Sequence, residues 1–185
     1  MVKKKHVIIL AIIIILFGTF VFGRNNVYKF MYPKKYSEYV IKYAQEYNLD
    51  EYLVYSVMKA ESKFRPNAIS HKGAKGLMQI SDITKNWAIE ELQLGEIDIF
   101  EPETNIKIGC WYLNKLFKEF GELDLVIAAY NGGSGNVNKW LGNKVYSKDG
   151  EQLHNIPFKE TSNYVKKVNK NYTMYKKVYN KEGKN

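Results

Sequence analysis

From Tyr36 onward the apolar residues return every three or four positions and almost nowhere every second one. That spacing marks one face of a helix, whereas alternation would mark a strand. It predicts a mainly α fold in which helices bury their stripes against each other. Tyr36, Tyr39, Val40, Tyr43 and Tyr47 form the first stripe. Asp50 is placed to cap a second helix, which carries Leu53, Val54, Val57 and Met58. Pro66, Gly73 and Gly76 then break the pattern. Ser81 or Asp82 caps a short helix through Trp87 and Leu92. A longer helix runs from about Glu103 to Phe120 on the stripe Ile106, Cys110, Leu113, Leu116, Phe117 and Phe120, and Gly121 ends it. Leu123 to Tyr130 forms another, stopped by Gly132 and Gly133. After Pro157 a last helix carries Tyr164, Val165, Val168, Tyr172 and Tyr175. Only the stretch from Ile69 to Ile80 leaves room for a small β-hairpin.

The front of the chain is different. Lys3, Lys4 and Lys5 precede an apolar run from Val7 to Phe22, broken only by Gly18 and Thr19. At about 16 residues it lies between a signal-peptide core and the roughly 20 residues of a full membrane span. No A-x-A-like cleavage site follows, since Phe20, Val21, Phe22 and Gly23 occupy that place. No Cys stands there to take a lipid. The expectation is an uncleaved signal anchor, a single N-terminal membrane helix. Its lysines keep that end in the cytoplasm, so the remainder is extracytoplasmic. The expected organisation is an anchor at 1–23, a short tether at 24–35, one helical domain at 36–178 and a basic tail at 179–185.

Composition narrows the function. A hydrophobic fraction of 45% is too high for a disordered chain. A single Cys excludes an intramolecular disulfide framework and a Cys-cluster zinc site. The formal charge of +9 points to an anionic partner or surface. Lys166, Lys167, Lys170, Lys176, Lys177, Lys181 and Lys184 crowd the last helix and the terminus. They form either a solvated helix face or a surface for anionic wall polymers or lipid headgroups. No nucleic-acid motif accompanies the charge, and an exported chain argues against nucleic acid as partner.

The chain has no H-E-x-x-H, no G-x-G-x-x-G, no Walker loop and no G-x-S-x-G. The glycines from Gly132 to Gly135 lack a phosphate loop's Lys-Ser/Thr, which leaves a flexible turn or a close approach of backbone to ligand. Asn171-Tyr172-Thr173 matches a glycosylation acceptor but reads more simply as an exposed helix segment. Glu61 stands out. It falls near the end of the helix that starts around Asp50, behind Val57, Met58 and Ala60. The negative end of the helix dipole and apolar neighbours both disfavour its charged form. A carboxyl so placed is suited to act as a general acid near neutral pH. The plainer alternative is a solvated Glu in a last turn.

Five segments stand in a telling order: Glu61-Ser62, Ser70, Gly73-Ala74-Lys75-Gly76-Leu77-Met78-Gln79-Ile80, Ala128-Ala129-Tyr130-Asn131, and Pro157-Phe158-Lys159-Glu160-Thr161 with Tyr164-Val165. Together they resemble the catalytic domain of the soluble lytic transglycosylases, relatives of goose-type lysozyme, over roughly Tyr36 to Tyr175. The resemblance implies a lysozyme-like helical domain that cleaves the MurNAc–GlcNAc bond of peptidoglycan glycan strands. Glu61 matches the family's catalytic carboxylate, which first protonates the bridging oxygen. It then accepts the proton of the muramoyl 6-hydroxyl, leaving a 1,6-anhydromuramoyl end. The substrate supplies its own nucleophile, so one carboxylate suffices where other glycosidases use two.

The other matched positions take roles by the same resemblance. Ser62 and Ser70 position the acid or the substrate. Gln79 contacts sugar, and Met78 lines the cleft or fills core. Tyr130 hydrogen-bonds the catalytic carboxyl or is a satisfied core tyrosine. Asn131 holds the following turn or a sugar, or caps its helix. Glu160 and Tyr164 stand at the far wall of the cleft, with Glu160 alternatively an N-terminal helix charge. No metal or cofactor is implied. Ser81-Asp82 replace the family's usual Met-Pro after Gln79-Ile80. Asp82 at a helix start is expected to be exposed, and His71 to be solvated. A hydrolytic muramidase on the same scaffold and a non-catalytic glycan-binding scaffold are the competing functions.

Overall fold

The computed structural model describes residue 6 and residues 26–180, which fall into two units, Met1–Pro33 with Lys176–Asn185, and Lys34–Tyr175. The larger unit holds α1 (Ser37–Glu46), α2 (Glu51–Glu61), α3 (Asp82–Leu92), α4 (Pro102–Phe120), α5 (Leu123–Gly132), α6 (Ser134–Leu141) and most of α7 (Lys159–Tyr179). Caps set the helix starts. Asp50 accepts from the Tyr52 amide at 2.8 Å, and Ser81 accepts from the Thr84 amide at 3.1 Å. Helix α4 begins at Pro102, where a missing amide is harmless, behind a Glu101 side chain that accepts from Thr104 at 2.6 Å.

Helix α6 was not anticipated, because Gly132 to Gly135 suggested only a turn. Gly133, at φ 85°, ends α5 and lets α6 begin at the next residue. The apolar face of α6 is just Val137 and Trp140, too short a stripe to register among polar neighbours. The stretch from Ile69 to Ile80, where the sequence leaves room for at most a small hairpin, carries two isolated antiparallel bridges, Ile69–Lys75 and Lys75–Ile80. No strand occurs among the described residues. Left-handed turns at Gly73, Gly76 and Gln79 redirect the chain too often for a ladder to grow.

Two helices are buried nearly all round. Leu53 through Met58 of α2 and Leu125 through Ala129 of α5 are all in the core. Helix α4 packs against α1, α3 and α5 and contributes Ile106, Ile108, Cys110, Leu113 and Leu116. Each large aliphatic side chain fully removed from water contributes about 1.5–3 kcal/mol before entropy is counted.

In the smaller unit, residues 26–31 are helical and the Tyr179 hydroxyl donates to the Tyr32 carbonyl at 2.8 Å. The expected anchor at 1–23 lies outside the described residues except for His6, and so do Lys181 and Lys184. Among the described residues no helix is long and apolar enough to cross a membrane.

Candidate active site

Helix α2 ends at Glu61 for local reasons. Ser62 is fully buried, and its hydroxyl donates to the Leu77 carbonyl at 2.7 Å. Lys63 and Phe64 follow in the left-handed region, at φ 53° and 62°. Two consecutive bulky residues there are strained. Burial of the Phe64 ring and the bond from Arg65 Nε to the Ser62 carbonyl at 3.1 Å hold them.

The segment opposite is fixed by Asn105 of α4. This fully buried amide accepts from the Met78 amide at 2.8 Å and donates to the carbonyls of Ile99 at 2.9 Å and Lys75 at 3.1 Å. Gly76 makes room for it. At φ 81°, an added Cβ would sit 2.1 Å from the Asn105 Nδ2. Ser70 closes the preceding turn by accepting from the Ala74 amide at 3.0 Å. Gln79, at φ 52°, donates its amide to the carbonyls of Ala68 and Gly76, each at 3.0 Å. Sequence reasoning missed Asn105. Its signal was a polar residue beside Ile106 at the start of an apolar stripe.

Glu61 is partly buried at the end of α2, and burial pushes its pKa up to about 7. Tyr164 and Lys167 of α7 pull it down, and the negative Glu160 pushes it up. The Tyr164 hydroxyl is buried without a well-formed hydrogen bond, yet it lies close enough to favour the Glu61 carboxylate. Burial first, then the Glu61 charge, raises the phenol pKa of Tyr130 and of Tyr164 well above the usual value. Both phenols therefore remain protonated donors. Adjacent to Tyr130 lies a groove of about 250 Å3, lined by Gln79, Ser81, Thr84, Tyr112, Tyr130 and Asn131 among others. Glu61 is not on its wall; Tyr130 joins the two, lining the groove and sensing the acid.

The remaining candidates sort by geometry. Met78 does not line the groove: it is fully buried, with its sulfur where a Cβ on Gly109 would be. Tyr130 does not donate to the Glu61 carboxyl; its hydroxyl donates to the Met78 carbonyl at 2.9 Å. Tyr130→Phe is therefore expected to leave that carbonyl unpaired and lower stability by about 1–2 kcal/mol in urea unfolding. Ser62 is sealed from any ligand and can act only by holding the end of α2. Asn131 lies inside α5, whose C-cap is Gly133. Glu160 is exposed in the first turn of α7 and pairs with Lys72 at 3.3 Å. Asp82 is exposed at the start of α3, where Lys75 and Lys85 at 2.8 and 3.2 Å lower its pKa. His71 is exposed. Asn171 is buried in α7 and donates to the Ser56 carbonyl at 3.3 Å, so it is neither an exposed helix residue nor a reachable glycan acceptor.

Residues 38–153 match the family model described as the Transglycosylase SLT domain. The chain belongs to this family. It is 34% identical to the soluble lytic murein transglycosylase of Salmonella typhimurium over 143 residues, covering 74% of this chain and 22% of that protein. It is 31% identical to the membrane-bound lytic murein transglycosylase C of Sodalis glossinidius over 171 residues, covering 75% of this chain and 46% of the relative. The crystal structure of the 70-kDa soluble lytic transglycosylase of Escherichia coli superposes with a TM-score of 0.70 at 29% identity, over 80% of this chain and 25% of that one. The SLT domain here thus spans between about a fifth and a half of the length of these relatives. Its matched segment contains Glu61, the Gly73–Ile80 turn and Tyr130, whereas Glu160, Tyr164 and Lys167 lie beyond residue 153 on α7.

Proposed function

We propose that this chain is a peptidoglycan lytic transglycosylase with Glu61 as its single acid and base. The observation that carries the proposal is the Glu61 carboxyl, partly buried at the end of α2 with its pKa pushed up to about 7. Such a group is largely neutral just below neutral pH and can still ionise there, as an acid that later serves as base must. In the proposed reaction Glu61 gives its proton to the oxygen bridging MurNAc C1 and GlcNAc C4. The C1–O bond breaks, and the muramoyl O6 bonds to C1 as its proton passes to the Glu61 carboxylate. The products are a 1,6-anhydromuramoyl end and a free GlcNAc 4-hydroxyl, and the acid is regenerated. Gln79, Tyr130 and Asn131, on the groove wall, are proposed to contact sugar. Ser62 and Ser70 hold the acid and the turn opposite, and Tyr164 and Glu160 tune the acid from α7.

Asp82, exposed and paired with two lysines, speaks against a second carboxylate holding a water from that position. The apolar run behind Lys3–Lys5 is proposed to anchor the domain at 36–178 outside the cytoplasmic membrane, with the basic tail near anionic wall polymers or headgroups. Mass spectrometry of digested peptidoglycan tests the reaction. Anhydromuramoyl ends, 18 mass units lighter than hydrolysed ends by the loss of one water, are the expected products. Reducing muramoyl ends alone would make the protein a muramidase instead.

A further inference from the structure

Burial and the negative end of the α2 dipole both favour a neutral Glu61. A group that must also accept a proton needs an opposing bias. Lys167 stands one turn after Tyr164 on α7, so one helix face presents both side chains to the end of α2. Its ammonium donates to the carbonyl of Ala60, the residue immediately before Glu61, at 2.5 Å. That bond joins residues 107 positions apart and spans α7 to α2.

We infer that Lys167 is a positioning residue for Glu61: its ammonium clamps α7 to the end of α2 and holds a positive charge beside the carboxyl. This inference rests on the proposed role of Glu61. The clamp satisfies one of the last carbonyls of α2, which have no partner within the helix. The charge opposes both burial and Glu160, and so keeps the carboxylate within reach when the muramoyl O6 proton must be taken. The other groups facing this corner are Tyr164 and Glu160 on α7 and Tyr130 on α5. Lys59 of α2, Lys63 just after it and Arg65, whose Nε donates to the Ser62 carbonyl, are further charged groups near the end of α2; Lys59 is held below its usual pKa by burial first, then by Lys63 and Lys167.

Titration of the Glu61 carboxyl by carbon NMR in the full chain tests the inference without substrate. In Lys167→Met the Glu61 midpoint is expected to move upward, and in Lys167→Arg to return toward the wild-type value. Lys167→Gln keeps a donor for the Ala60 carbonyl but no charge, so it remains informative where Met disturbs folding. It is expected to shift the midpoint upward as well. The alkaline limb of muropeptide release should move upward with the midpoint, which loss of a purely structural contact would not produce. An unshifted midpoint in folded Lys167→Gln overturns the inference. A shifted midpoint in a domain whose wild type releases no muropeptides supports it and defeats the proposed activity instead.

Discussion

Glu61→Gln is expected to reduce muropeptide release by about 10³-fold, in the middle of the range a positioned general acid supplies. The amide fills the same space but has no proton to give and cannot take one back. Wild-type kcat/KM is expected to fall as pH rises through about 7, because the free enzyme must begin with Glu61 protonated. The same variant should be more stable than wild type at alkaline pH. The native carboxyl titrates at about 7 against an ordinary value of 4.5, so between those values the folded state holds a proton that the unfolded state has lost. Wild-type stability therefore declines from about pH 4.5 to 7 and stays low above, by up to about 3 kcal/mol before solvent screening reduces it. Glutamine has no such slope. Urea unfolding at pH 5 and pH 8 should show the two proteins diverging only at the higher pH. Full muropeptide release by Glu61→Gln would place the acid elsewhere, whereas a wild type that binds glycan and releases no muropeptides would leave a glycan-binding scaffold as the better account.

Asn105→Leu is expected to cost about 3–5 kcal/mol and most of the activity. Leucine nearly matches the shape but strands three groups at once: the Met78 amide and the carbonyls of Lys75 and Ile99. Each buried group left without a partner costs about 1–3 kcal/mol, against a typical total stability of about 5–15 kcal/mol. The damage falls on the turn that carries Gln79 and supports Tyr130 through the Met78 carbonyl. Gly76→Ala should mimic it from the other side, since its methyl would displace the Asn105 amide and sit at an unfavourable positive φ. Circular dichroism melts with activity assays on both variants check this. A pair of near-neutral variants would show that Asn105 is dispensable to the turn.

Much of this molecule was legible because helix formation is a local matter. The stripes of α1, α2, α4 and α7, the caps Asp50 and Ser81 and the stop at Gly121 follow from neighbours within four residues. Helix α6 escaped because its two-residue apolar face is weak beside the glycines before it. Residues 69–80, where the sequence leaves room for at most a small hairpin, stop at two bridges because they spend their hydrogen bonds on turns and on Asn105 rather than on a ladder.

In the site, the order of motifs marked Glu61, Gln79 and Tyr130, but not how they are used. Tyr130 serves the Met78 carbonyl, and Met78 lies in the core. Lys167 looked like one more cation on a lysine-rich last helix and instead reaches the helix that ends in Glu61.

The sequence by itself determined the helices, their buried faces and the place of Glu61 at the end of one of them, because each depends on spacing along the chain. Only the tertiary structure decided the protonation of Glu61 and the shape of the turn opposite. Both arise from groups far apart in sequence: burial of the end of α2, the charge of Lys167 and the amide of Asn105. Dielectric environment and hydrogen-bond satisfaction are properties of the packed chain, and no local pattern encodes them.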